Sequence, residues 1–182
     1  MEAAKKNNSL WTDMLRPVVV LVVICLVASA LLGFVNAKTA PVIAENEMAA
    51  LAESMRTALP TATSFEALPV SDELAAKGVT GFYAGNDGTG YVVVAANKGY
   101  GGDVVVTVGF DPQGTILNVD ANVSTETQGV GSKVGERAIL DRFTGLSGNA
   151  NDVTLRSGAT YTSNAVRASV NAAFDAVASV IG

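Results

Sequence analysis

An α+β domain behind one N-terminal transmembrane helix is the fold class that the sequence predicts, with an antiparallel sheet flanked by helices. Three observations carry it. Pro17 to Ala37 is an apolar run without a charged side chain. From Thr80 to Val123 the apolar residues mostly alternate, interrupted by short turn sequences. From about Ser163 they return at helical spacing, through Val166, Val170, Phe174, Val177 and Ile181. Strands joined by short turns form an antiparallel meander, and helices at both ends of it make the domain α+β.

The 182 residues allow one ordinary domain and an anchor. Lys+Arg number 12 against 17 Asp+Glu, a net charge of −5 without a basic cluster, which argues against a nucleic-acid partner. There is no His and one Cys. That removes a Ser-His-Asp triad, a His-ligated metal and a c-type haem, and it leaves too few thiols for an iron–sulfur cluster or a structural zinc. Redox work by this chain therefore requires an organic cofactor.

Arg16 and Lys38 bracket the apolar run. At ~1.5 Å per residue it spans the ~30 Å hydrocarbon core, and Trp11 lies where an interfacial aromatic sits. Val35-Asn36-Ala37 faintly resembles a signal-peptide cleavage site, but the run exceeds the roughly 7–15 apolar residues of such a peptide. Cys25 follows Val22-Val23-Ile24, which lacks the small residue of a lipoprotein site. A retained anchor is expected. Lys5, Lys6 and Arg16 precede the span, while Glu45, Glu47 and Glu53 follow Lys38. This asymmetry puts residues 1–16 in the cytoplasm, 17–37 in the membrane and the remainder on the extracytoplasmic side. A soluble portion without thiols suits that side.

Val42 to Leu59 reads as an amphipathic helix through Met48, Leu51, Met55 and Leu59, stopped by Pro60, either packing on the domain or continuing from the anchor. Thr61 to Lys77 is mixed and carries little signal. Thr80 to Tyr83 and Gly90 to Asn97 are strand-like around Asn86-Asp87-Gly88. Asp103 to Phe110 places Val104, Val106, Val108 and Phe110 on one face. Asp111-Pro112-Gln113-Gly114 is a turn, and Thr115 to Val123 answers with Leu117, Val119, Ala121 and Val123. Glu136 to Phe143 is a short helix candidate, Asn151 to Leu155 is strand-like, and the last helix begins about Ser163.

Ser157-Gly158-Ala159-Thr160-Tyr161-Thr162-Ser163 crowds small residues and hydroxyls where that helix opens. Free N–H groups and the positive end of a helix dipole favour a phosphate there, Gly158 permits close backbone approach, and Thr160 offers an oxygen for a covalent bond. Taken alone, the stretch also reads as a turn with Ser163 as N-cap. Asp152 to Ser163 resembles the flavinylation motif of the FMN-binding domain shared by the G subunit of the Rnf complex and the C subunit of the sodium-pumping NADH:quinone reductase. The resemblance implies FMN bound covalently by a phosphoester at Thr160, with Ser157, Gly158, Ala159 and Thr162 shaping the phosphate site.

Ser124-Thr125-Glu126-Thr127-Gln128-Gly129-Val130-Gly131 resembles a second signature of the same family, around Glu-Thr-Pro-Gly-Leu-Gly and often preceded by His. Glu126, Thr127, Gly129 and Gly131 match; Ser124, Gln128 and Val130 depart. Glu126 and Thr127 can hydrogen-bond the flavin ring or order the loop over the phosphate. Gly129-Val130-Gly131-Ser132-Lys133 lacks the frame of a P-loop, and adjacent Ser132 and Lys133 point apart, against a serine nucleophile and its base. Gly99-Tyr100-Gly101-Gly102-Asp103 resembles the start of the family's FMN-binding region, giving a boundary between 38–98, a membrane-proximal helix and first strands, and 99–182. Tyr100 and Tyr161 are candidate flavin contacts.

By this likeness the chain is an electron-carrying subunit of a membrane complex that moves electrons between ferredoxin and NAD while pumping Na⁺ or H⁺, in a bacterial or archaeal cytoplasmic membrane. Its partners are the other subunits, membrane lipid, and a flavin transferase that uses FAD as the FMN donor. No residue is read as an acid, base or nucleophile in turnover. The alternatives are the reductase C subunit, a free-standing flavinylated carrier, and a membrane-anchored binding or assembly module without cofactor.

Overall fold

The computed structural model describes the backbone of residues 2–182 and the side chains of residues 14–182. The readings that rest on the side chains of Lys5, Lys6 and Trp11 lie outside the described residues. The chain divides into two compact units, Met1–Ala49 and Ala50–Gly182.

Helix α1 runs from Glu2 to Ala58 with Pro17 and Pro41 inside it. The amphipathic stretch after the apolar run thus continues from it as one helix. Proline removes a backbone donor and normally interrupts a helix. Pro41 leaves the Ala37 carbonyl without its i→i−4 donor, and just before it the Thr39 hydroxyl donates to the Val35 carbonyl at 3.1 Å. Among the described residues of the first unit the apolar side chains are exposed all round the helix, Val18, Leu21, Ile24, Leu31 and Phe34 included. The segment Met14–Ala58 holds a stretch long and apolar enough to cross a membrane, none of it buried in protein. An apolar helix without a protein core around it finds its favourable solvent in lipid.

The second unit is built on a five-stranded sheet in the order β1-β2-β3-β4-β5, antiparallel throughout. The strands are β1 (Phe65–Ala67), β2 (Val79–Gly85), β3 (Tyr91–Lys98), β4 (Asp103–Phe110) and β5 (Ile116–Asn122). The weakly patterned Thr61–Lys77 supplies β1 and a one-turn helix, α2 (Asp72–Ala76), N-capped by Ser71. Asp111 shapes the β4–β5 turn, its carboxylate accepting from Gln113 N–H at 2.9 Å and Thr115 N–H at 2.8 Å. Further along, α3 (Arg137–Leu140) leads into a 3₁₀ turn, and α4 (Thr160–Ile181) closes the fold.

One face of the sheet carries the main core. Val104, Val106, Val108 and Phe110 of β4 are fully buried, as the alternation in sequence requires, and pack with Val166, Val170, Phe174 and Val177 of α4. Each such side chain contributes about 1.5–3 kcal/mol on leaving water. The rings of Phe110 and Phe174 meet edge to face at 5.3 Å. The other face is covered by the last turns of α1 and the residues after it: Met55, Ala58, Leu59 and Ala62 bury Val92. At Gly109 a Cβ would strike the Ala58 carbonyl, so glycine is what lets α1 end directly on the sheet. Ser54 donates to Asp120 at 2.6 Å and Asn118 donates to the Thr57 carbonyl at 2.7 Å, tying the same turns to β5.

Four expectations are corrected. Leu117 does not join the core face: the register slips between Gly109 and Phe110, so that Phe110 faces Ile116 while Gly109 faces Asn118. The extra residue turns Leu117 out and Ile116 in. Asn151–Leu155 is not a strand but a loop. Two of its carbonyls go to side chains, with Arg167 donating to Val153 at 2.9 Å and Arg142 to Thr154 at 2.6 Å. Val153 and Leu155 still pack on the core, which explains their strand-like alternation. Met48 and Ile181, taken as members of apolar stripes, are exposed. Lastly, α4 begins at Thr160, three residues before Ser163, and Ser163 is not its N-cap.

Candidate functional site

Three segments distant in sequence meet at one end of the sheet. The β3–β4 turn brings Gly99 to Gly102, the exit from β5 brings Val123 to Gly131, and the entry to α4 brings Ser157 to Thr162. Between them lies a cavity of about 410 Å³ lined by Tyr100, Glu126, Thr127, Val130, Gly131 and the run from Gly158 to Thr162. Two of the residues singled out in the sequence, Ser157 and Gly129, lie beside the cavity rather than on its wall. Gly129 has φ 77° and donates to the Ser132 hydroxyl at 2.9 Å, holding the turn before Gly131.

The entry to α4 is built for an acceptor from outside the helix. Gly158 takes φ 83°, a conformation that glycine adopts without strain, and reverses the chain. The N-cap position is Ala159, whose side chain cannot accept a hydrogen bond. The first intrahelical bond runs from Ser163 N–H to the Ala159 carbonyl at 2.9 Å. The N–H groups of Thr160, Tyr161 and Thr162 therefore precede the helical ladder, at the positive end of a 22-residue helix. Thr160 and Tyr161 are exposed on the cavity wall, whereas Thr162 is buried. Among the described residues no Lys or Arg lines the cavity. An anion there is held by backbone N–H groups and the helix dipole.

Glu126 organises the centre. It is 4% exposed, and its carboxylate accepts from Tyr100 N–H at 3.0 Å, from Gly101 N–H at 2.9 Å and, in a very short hydrogen bond, from the Thr162 hydroxyl. Burial pushes its pKa up, but the Thr162 hydroxyl and the N–H groups of Gly101, Tyr100 and Gly102 outweigh it, leaving the carboxyl below its usual range. Glycines make the room: a Cβ at Gly131 would press on Glu126 and Thr162, at Gly99 on the Glu126 carboxylate, and at Gly101 on the Thr125 carbonyl. The hydrogen-bonding capacity of Glu126 and Thr162 is thus directed to each other and to the β3–β4 turn, while Thr160 and Thr127 are exposed threonines on the cavity wall.

Across the mouth, the rings of Tyr100 and Tyr161 stand 6.2 Å apart at 46°, 74% and 68% exposed, with Val130 also open to solvent. Two exposed aromatic faces beside a cavity with an anion seat suit a flat ring system joined to a phosphate. From sequence, Gly131 is expected to let the backbone approach a flat ligand, whereas Val130 reads only as a departure from the motif, with nothing to give it its place on the wall. The bond between Glu126 and Thr162, 36 residues apart, had no local signal.

Residues 99–175 match the family model of the FMN-binding domain, and residues 5–57 match that of the RnfG N-terminal region. The chain is 29% identical to the G subunit of the Na(+)-translocating ferredoxin:NAD(+) oxidoreductase complex of Acetobacterium woodii, over 94% of this chain and 95% of the relative. It is 26% identical to the G subunit of the proton-translocating ferredoxin:NAD(+) oxidoreductase complex of Clostridium ljungdahlii, over 89% and 90% respectively.

Proposed function

Because the chain belongs to the family of Rnf complex G subunits with an FMN-binding domain, we propose that it carries electrons within a membrane-bound, ion-translocating ferredoxin:NAD oxidoreductase, with FMN attached to Thr160. The observation that carries this reading is the placing of Thr160. It is exposed on the cavity wall at an uncapped helix start, beside the two loops that bear the other motif residues. Donors, dipole and aromatic faces fit a flavin phosphate.

In this arrangement the N–H groups at the start of α4 bind the phosphate, and a phosphoester through the Thr160 oxygen prevents loss of the group by dissociation. Tyr100 and Tyr161 bound the ring on its open side, and Thr127 contributes a polar contact from the β5 exit. Glu126 orders the loops from beneath. The flavin would supply the electron transfer when bound, and these residues would bind and orient it. Attachment requires a flavin transferase with FAD as donor, since a threonine hydroxyl is a weak nucleophile unaided.

The single span and the basic residues ahead of it support a domain on the outer face of the membrane, next to the other subunits of the complex and to lipid. The A. woodii relative is Na(+)-translocating and the C. ljungdahlii relative proton-translocating, so either ion is compatible with this chain.

Intact mass of the protein from its native membrane tests the attachment. We expect an added FMN phosphoryl mass in the natural chain and none in Thr160→Ala. An unmodified natural chain would refute the covalent reading.

A further inference from the structure

One buried carboxylate joins all three segments of the site. Glu126 leaves the β5 exit, accepts from Tyr100 and Gly101 N–H in the β3–β4 turn, and binds the Thr162 hydroxyl in the first turn of α4. Thr162 stands two residues beyond Thr160, and the Ser163-to-Ala159 bond closes that turn around both. Glu126 packs so closely on Gly131 and Gly99 that a Cβ at either position would strike it. Position 159 is Ala, so no N-cap side chain holds the start of α4, and the Thr162 hydroxyl ties that turn directly to Glu126.

We propose that Glu126 is a positioning residue for flavin attachment, acting through Thr162 to aim the Thr160 hydroxyl into the cavity. The inference rests on the reading of Thr160 as the attachment point. In the transfer, the Thr160 oxygen forms a bond to the phosphorus on the FMN side of FAD, the diphosphate P–O bond breaks, AMP leaves, and the hydroxyl proton passes to a base on the transferase. Glu126 takes no proton in this step, because its oxygens are engaged by Thr162 and the β3–β4 turn. Its contribution is alignment of the attacking oxygen opposite the leaving group, on which displacement at phosphorus depends.

The test uses the full chain in detergent, produced without a flavin transferase, then incubated with purified transferase and FAD and followed by intact mass. Thr162→Val and Glu126→Gln are expected to gain flavin on the order of 10- to 100-fold more slowly than the natural chain. Thr162→Ser, which keeps the hydroxyl, is expected to stay close to it. Hydrogen exchange should quicken at the amides of Tyr100, Gly101 and Ser163 in the slow variants while the β4 amides stay protected, which a general loss of stability would not give. A natural rate in Thr162→Val, or an equal loss in Thr162→Ser, overturns the proposal. Should Glu126→Gln fail to fold, the two Thr162 variants decide alone. If Thr160→Ala gains as much flavin as the natural chain, the attachment reading fails and the positioning role with it. Attachment confined to Thr160 but indifferent to Thr162→Val overturns the positioning role only.

Discussion

At Glu126 two opposing effects act on one carboxyl. Burial favours the neutral acid, while the Thr162 hydroxyl and the N–H donors of the β3–β4 turn favour the anion and prevail. The folded pKa therefore lies below the unfolded value of about 4.3. A group depressed in this way contributes stability that is fully present above the unfolded pKa and is lost as pH falls through the folded one. The difference in thermal midpoint between the natural chain and Glu126→Gln should be constant from about pH 6 to 8 and shrink below about pH 4. A difference that holds unchanged to about pH 3 would show that the anion is not what the site stabilises. The sequence exposes Thr160 and Gly158 because their signal is local, a small-residue turn ahead of an apolar stripe. It does not expose the partner of Glu126. A carboxylate among Ser, Thr, Gln and Gly reads equally as a ligand to flavin or as a brace for the loop, and only the meeting of β5 exit, β3–β4 turn and α4 shows that its oxygens accept from Thr162 and the turn N–H groups.

Elements show the same division. The alternation of Val104, Val106, Val108 and Phe110 determined β4 residue for residue, since a strand buried on that face leaves no other register. In β5 the same logic misplaced Leu117, because a bulge is a property of two paired strands and has no period of its own. The start of α4 lies three residues ahead of its expected place for a related reason. A Ser is the expected cap, whereas here the helix opens at Ala159 and leaves its donors toward the cavity. Gly109 shows how closely elements meet: a methyl at this position has the Ala58 carbonyl in its place. Gly109→Ala should lower unfolding stability by about 1–3 kcal/mol, read from the denaturant midpoint of the detergent-solubilised chain. An unchanged midpoint would mean that α1 does not end on the sheet.

For the whole molecule, an exposed apolar helix and a folded sheet domain call for different solvents, lipid for the first and water for the second. Orientation is the prediction at this scale. In a Cys25→Ser background, Ser124→Cys, at an exposed site of the domain, should react in intact cells with a maleimide that cannot cross the membrane. Labelling only after the cells are broken would place the domain inside and refute the outer-face reading.

Local pattern was enough for the single apolar span, the antiparallel meander, the closing helix and the family likeness, because each rests on a period or motif within a few residues of chain. The continuity of α1 onto the sheet, the bulge at Leu117, the uncapped start of α4 and the Glu126–Thr162 bond emerged only with the folded chain. Each of these depends on which distant groups become neighbours once the core closes. No stretch of chain encodes the neighbours that burial will bring to it.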